Sequence, residues 1–359
     1  MISKPLVTAV STEENGGGVA VVARLLWRAF EGRWPNDAQL LRLIEGSHPQ
    51  PTLRDKINFT LRLAAARADW ILFSHLGLAR AQARLPKPLH RPYGVFLHGV
   101  EAWCPLTPST LHLLAAADIR LANSEYTAAR VMRAHPGIGP VEPCPLALLE
   151  PRLSEIETAS PDRRGELTVL MVGRLASTER YKGHDEMLDA WPRVAATVPA
   201  ARLVIVGDGD DLPRLRKKAQ NNGVEASVRF AGFVTREALD QYYRRAALFA
   251  LPSRGEGFGL VYLEAMAHGL PCVGSVHDAA REVIVDTVTG RLVDQSHPDQ
   301  LVDALVALLR DEPLRQRMGL AGHRRVMSEF SFARFESRLH ATLDRFVITG
   351  QQPLAVAAS

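Results

Sequence analysis

The stretch "LFALPSRGEGFGLVYLEAMAHGLPCVGS", residues 248 to 275, carries the alternation from which the architecture is read. A short apolar run, "LFALPS" (248 to 253), meets a glycine-rich turn. The turn leads into "LVYLEAMAHG" (260 to 269), apolar and of helical length, and "PCVGS" (271 to 275) is a second short apolar run. Strand, turn, helix and strand in that order predict a βαβ unit in a parallel sheet. The same alternation continues outward. In the second half the further strand candidates are "LTVLMVG" (167 to 173), "RLVIVG" (202 to 207), "SVRFAGF" (227 to 233) and "GRLV" (290 to 293). In the first half they are "LVTAV" (6 to 10), "AQLLRLI" (38 to 44), "WILFSH" (70 to 75), "GVFLH" (94 to 98) and "DIRLAN" (118 to 123), with helical stretches between them. The expected fold is α/β, with two doubly wound parallel-sheet domains facing across a cleft.

The 359 residues suit two such domains. The aperiodic stretch "LALLEPRLSEIETASPDRRGE" (146 to 166) is read as the linker, giving domains 1–150 and 151–331. The last strong helix, "FARFESRLHATLDRF" (332 to 346), is expected to pack back on the first domain. Only the tail "GQQPLAVAAS" reads as disordered.

No apolar run approaches the length of a membrane span, and the N-terminus lacks a secretory core. The expectation is a cytoplasmic protein. Its three cysteines, Cys104, Cys144 and Cys272, are widely spaced and read as reduced and buried. Residues 1–150 carry 16 Lys and Arg against 12 Asp and Glu, whereas the remainder carries 27 of each. The basic excess of the first half suits an anionic acceptor or a peripheral contact at the inner membrane face, through "LRDKINFTLRLAAARA" (53 to 68). A helix packing its apolar side on a core has the same pattern, and that reading is preferred here. Nothing points to a nucleic acid partner.

Two carboxylates and two cations draw attention. Gly255, Gly257 and Gly259 flank Glu256 and Phe258 at the start of a helix, where backbone N–H groups can approach a ligand. Glu264 is the one charge in "LVYLEAMA" and needs a partner if buried; a ribose diol is one that can give two hydrogen bonds to a carboxylate. A helix-dipole role is the alternative. In "LMVGRLASTERYKGHDEML", Arg174 leaves a strand end and Lys182 precedes a helix opened by Gly183 and His184. Such a pair can neutralise a diphosphate.

With "VGRLASTERYKGHDEML", "VIVGDGDDLPRL", "VRFAGFV" and "EGFGLVYLEAMAHGLPCVGS" in this order, residues 165 to 330 resemble the retaining glycosyltransferases of family 4, the glycosyl transferases group 1, which have the GT-B fold. "ENGGGVAVVARLL", "LHGVEAW" and "ANSEYTA" extend the resemblance over the first half. It implies two Rossmann-like domains, an acceptor domain followed by a nucleotide-sugar domain. It also implies that Arg174 and Lys182 hold the donor's diphosphate and stabilise the leaving group. Glu256, with the amides of Phe258, Gly259 and Leu260 and the turn at Gly257, would hold the transferred sugar. Glu264 would hold the ribose, and the backbone around Val234 the base. Gly17 and Gly18 would let the loop after the first strand approach the donor phosphate, and His98 would lie near sugar and acceptor.

The implied donor is a UDP- or GDP-linked sugar and the implied acceptor a glycan or polyprenyl-linked oligosaccharide. Transfer of a mannosyl or glucosyl group would proceed with retention, without a protein nucleophile, cofactor or catalytic metal.

Other readings fit less well. A glycosidase pair of acids would leave Arg174 and Lys182 idle. Asp208 and Asp210 in "DGDD" fit a strand-to-helix turn better than a metal site, and "NGGGVAV" lacks dinucleotide spacing. Trp103 could stack on an acceptor sugar, but a core tryptophan is the preferred reading. An epimerase or phosphorylase on the same fold, or a non-catalytic nucleotide-sugar-binding subunit, are the competing functions. The chain departs from the family pattern at "LALLEP" (146 to 151) and at "DAA" (278 to 280), where a glycine pair is usual.

Overall fold

The computed structural model describes residues 2–13, 16–45, 50–149 and 167–349. The chain forms two compact units, Met1–Leu149 with Phe332–Ser359, and Glu150–Ser331. The strands of the first unit are β1 (Pro5–Ala9), β2 (Gln39–Arg42), β3 (Trp70–Phe73), β4 (Tyr93–Leu97), β5 (Ile119–Ala122) and β6 (Glu142–Pro143). They form one parallel sheet in the order β2-β1-β3-β4-β5-β6. Every residue of β1, β3, β4 and β5 is buried, because helices cover both faces of such a sheet. The short strand β6 escapes the sequence pattern: two residues carry no periodicity, and its Pro143 is tolerated because the strand lies at the sheet edge.

The helix Phe332–Thr349 belongs to this unit. Phe335, Leu339 and Leu343, spaced by four, are buried along one side, and each such side chain contributes about 1.5–3 kcal/mol. Its polar side pairs Arg33 with Asp344, and His340 Nε2 donates to the carbonyl of Ala29 at 3.1 Å. Arg338 donates to the carbonyl of Pro145 at 3.1 Å, and Arg345 to Glu142 at 3.0 Å.

Of the stretch read as a linker, Leu146, Ala147 and Leu148 are buried; residues 150–166, which include the end of "LALLEP", lie outside the described residues, as does the tail 350–359. One expectation is corrected. Cys144 and Cys272 are buried free thiols, but Cys104 is exposed, since the helix Val100–Trp103 ends just before it. The helix Leu53–Ala65, opened by a Thr52–Asp55 capping box, packs Phe59 and Leu63 inward. It also leaves Leu53, Ile57 and Leu61 at 74%, 50% and 63% exposure, so a second apolar stripe faces outward. Trp103 is a core residue, with the Arg130 guanidinium 4.5 Å from its ring centroid.

The second unit contains β7 (Thr168–Val172), β8 (Arg202–Val206), β9 (Val228–Gly232), β10 (Leu248–Ala250), β11 (Cys272–Ser275) and β12 (Gly290–Val293). Their parallel order is β12-β11-β10-β7-β8-β9. The direction of winding reverses between β7 and β10 here, and between β1 and β3 in the first unit. Ligands of open α/β sheets bind outside the carboxyl ends of strands at such a reversal. Arg174 follows β7 and Glu256 follows β10.

Candidate active site

Gly183 lies in the left-handed region, and a Cβ there would stand 2.2 Å from the carbonyl oxygen of Pro252. Only glycine lets the loop after β7 meet the loop after β10 this closely. The Arg254 N–H donates to the carbonyl of Tyr181 at 2.8 Å, and Tyr181 packs against Gly255, closing the seam.

Across that seam Lys182 Nζ donates to Glu256 Oε1 at 2.6 Å, with both side chains 14% exposed. Burial pulls the Lys182 ammonium down, but the charge and hydrogen bond of Glu256 outweigh it and leave its pKa above the ordinary value. Arg174, 76% exposed, is ion-paired with Glu179, whose second oxygen, Oε2, is buried 4.0 Å from Lys182 Nζ and has no hydrogen-bond partner. The charges therefore alternate: Arg174, Glu179, Lys182, Glu256. The two cations expected to stand ready for a diphosphate are each occupied by an acid, one of which, Glu179, the sequence reading passed over.

Asp278 holds the Glu256 segment from behind. It is fully buried, accepts from the Glu256 N–H at 3.1 Å and from the Ala280 N–H at 2.9 Å, while the Ala279 N–H donates to the Glu256 carbonyl at 3.2 Å. Burial first, and then the charge of Glu256, push its carboxyl up to about 7 against the Ala280 hydrogen bond. The departure "DAA" thus supplies a carboxylate where a glycine pair could not.

An acid whose native pKa exceeds its unfolded value of 3.8 favours the folded state fully below about pH 4. That contribution is lost as pH rises through about 7. The melting midpoint is expected to fall by on the order of 5–10 °C from this group between those limits, and Asp278→Asn should flatten the fall in a calorimetric pH series.

The remaining assigned residues of this unit divide by burial. Phe258 is buried edge-on to Phe330, ring centroids 5.9 Å apart, so only its backbone can face a ligand. Gly259, in the left-handed region, caps the helix Leu260–Ala267, whose first N–H groups lack intrahelical partners. Gly257 lies in the same turn, and Val234 is half-buried in the loop after β9. Glu264 accepts from the Tyr243 hydroxyl at 3.0 Å and lies 3.8 Å from Arg236. Burial holds its pKa above the ordinary value although Arg236 and the Tyr243 hydrogen bond oppose this. It therefore has protein partners before any ribose arrives.

His184, the first residue of the helix after Lys182, is buried with its Nε2 unpartnered, and burial followed by the Lys182 charge holds it down to about 4. Asp208 accepts from the adjacent Gly209 N–H at 2.8 Å, whereas Asp210 accepts from the Ser177 N–H at 2.8 Å and so ties the loop after β8 to the segment after β7.

In the first unit His98 follows β4, with Nε2 donating to the carbonyl of Ser74 at 2.6 Å and its own N–H donating to Glu101 Oε1 at 2.6 Å. In a neutral imidazole the bond from Nε2 leaves Nδ1 as the acceptor. His75, which the sequence reading left inside a strand candidate, lies beside it with ring centroids 5.5 Å apart. The Gly77 N–H donates to its Nδ1 at 3.0 Å. Burial, then His98, hold His75 down to about 4, so it is neutral near pH 7 with its proton on Nε2. Gly17 and Gly18 are corrected in one respect: they form the first turn of the helix Gly17–Arg33, not the loop before it.

The sequence model of the family described as Glycosyl transferases group 1 matches residues 154–325. A GDP-mannose-dependent alpha-(1-6)-phosphatidylinositol monomannoside mannosyltransferase of Mycobacterium tuberculosis is 32% identical over 259 residues, 67% of this chain and 66% of that protein, just under two thirds of its length. A phosphatidyl-myo-inositol mannosyltransferase of Mycobacterium leprae is 42% identical over 156 residues, 43% of this chain and 40% of the relative. Among solved structures, Anabaena HepE in complex with UDP and glucose aligns at a TM-score of 0.77 and 18% identity, covering 96% of this chain and all (100%) of that one. Sucrose-phosphate synthase from Thermosynechococcus elongatus aligns at 0.75 and 20%, covering 97% and 100%. These two likenesses are of fold. The family match over residues 154–325 and the 32% identical relative place the chain among the glycosyl transferases group 1, and its two doubly wound parallel sheets have the GT-B fold.

Proposed function

We propose that this chain transfers a mannosyl group, or another hexosyl group, from a nucleotide diphosphate sugar to a hydroxyl of a lipid-linked or glycan acceptor, with retention and without a metal. The observation that carries the reading is the Lys182–Glu256 pair at the β7/β10 reversal, next to Arg174. A cation and a sugar-binding acid held 2.6 Å apart suit the junction between a diphosphate and its sugar. GDP is the first nucleotide to test, because the mycobacterial relative is GDP-mannose-dependent.

In this reading Arg174 and Lys182 neutralise charge as it develops on the departing diphosphate, the role a divalent metal would otherwise fill. Glu256 and the amides at Phe258, Gly259 and Leu260 hold sugar hydroxyls, and Glu264 and the backbone near Val234 hold the nucleoside. The donor phosphate takes the acceptor's proton on the face from which it leaves. His98 accepts from a sugar or acceptor hydroxyl through Nδ1.

The acceptor falls to the first unit. We also assign its outward stripe Leu53, Ile57 and Leu61, with Arg54 and Lys56 at its margins, to an anionic membrane surface, where the apolar side chains enter the interface and the cations meet lipid phosphates. No helix among the described residues is long and apolar enough to cross a membrane. Contact would be peripheral, from the cytoplasmic side.

The test is a panel of GDP-, UDP- and ADP-hexoses with mass-spectrometric detection of nucleotide release, run with and without EDTA. Release from one donor, unchanged by EDTA and raised by a lipid-linked acceptor, is expected. Failure of every donor to turn over refutes the reading, and loss of turnover with EDTA refutes the metal-free form of it.

A further inference from the structure

Two acids and two bases alternate across the site, so their formal charges cancel: Arg174 and Lys182 against Glu179 and Glu256. A diphosphate brings about two negative charges, and a neutral cluster offers it little attraction. Glu256 is fixed by the 2.6 Å bond from Lys182 and by Asp278 behind its backbone. Glu179 is held differently. Its backbone (φ −121°, ψ 28°) breaks the short helical turn Ser177–Lys182 and brings the carboxylate onto Arg174, while the neighbouring Ser177, Thr178 and Arg180 are exposed. One of its oxygens is buried without a hydrogen bond, an arrangement that costs free energy and is relieved when the side chain swings out to water.

We infer that Glu179 is a built-in stand-in for the donor's diphosphate: it occupies Arg174 in the empty site, and the incoming diphosphate displaces it. This rests on the reading of Arg174 and Lys182 as the diphosphate cations. Once Glu179 leaves, the cluster has one net positive charge. When the nucleotide product departs, Glu179 returns to Arg174, which lowers the affinity for product and speeds its release.

The expected effect on binding has an unusual sign, because a residue that merely orients Arg174 would weaken binding when changed. Titration calorimetry on the full chain with GDP and with UDP compares wild type, Glu179→Gln and Glu179→Asp. The neutral variant is expected to bind the nucleotide on the order of tenfold more tightly, with a steeper loss of affinity as salt is raised, while the charged Asp variant stays near wild type. In turnover the donor KM of Glu179→Gln should fall and kcat should not rise.

Equal or weaker binding by Glu179→Gln, with wild type binding normally, overturns the inference and leaves the donor reading intact. Absence of nucleotide binding by wild type overturns the donor reading and the inference together. Should Glu179→Gln fail to fold in a melting experiment, Glu179→Ala gives the same comparison, tighter binding supporting the inference and weaker binding refuting it.

Discussion

Replacing Lys182 by alanine is expected to reduce sugar transfer by about a thousandfold, the scale of losing one preorganised partner of a developing anion. The change does two things. It removes the buried cation that we propose meets the donor's diphosphate, and it leaves the Glu256 carboxylate, 14% exposed, without its counter-ion. An uncompensated buried charge of this kind costs about 3–5 kcal/mol, so the melting midpoint should fall as well. The two effects separate in a double-mutant cycle. Adding Glu256→Gln to Lys182→Ala removes the stranded charge and should restore stability, but it cannot restore the cation, so transfer stays low. Steady-state kinetics beside thermal melting of the four proteins reads both. If the double variant regained activity, Lys182 would serve only to neutralise Glu256.

The triple change Leu53→Ser, Ile57→Ser and Leu61→Ser is expected to weaken binding to vesicles containing phosphatidylglycerol by about a hundredfold or more, given roughly 25 cal/mol for each Å² of apolar surface withdrawn. The three side chains are already exposed, so the fold should hold: the inward positions Phe59 and Leu63 are untouched. Arg54→Gln with Lys56→Gln should give a smaller loss that disappears in high salt, since screening removes the same contribution from wild type. Flotation at two salt concentrations measures both. Undiminished flotation of the triple variant would assign the stripe to another partner.

Much of this architecture was legible because parallel strands buried on both faces read as unbroken apolar runs. "WILF" and "TVLMV" are such runs, and β3 and β7 stand where they do. The short edge strand β6 was not, since two residues ending in proline carry no period. Arg174, Lys182, Glu256 and Glu264 were legible as candidates from residue type, spacing and neighbouring glycines. Glu179 and Asp278 were not, because an acid in "ASTERYK" or "SVHDAA" resembles any surface acid until the backbone turns it toward Arg174 or buries it behind Glu256.

The helix Leu53–Ala65 shows the same limit. Its pattern of apolar and basic residues is equally that of a core helix or an interfacial one, and the placement of Leu53, Ile57 and Leu61 depends on which side the sheet occupies. The class of fold, the family and the chemical types gathered at two strand ends follow from local periodicity, turn residues and motif order, all of which the linear chain carries. Which charges neutralise one another and which apolar side chains remain exposed depend on contacts between segments distant along the chain. Lys182 and Glu256 are 74 positions apart along the chain, and a hydrogen bond of 2.6 Å between them exists only because Gly183 lets one loop close on the other.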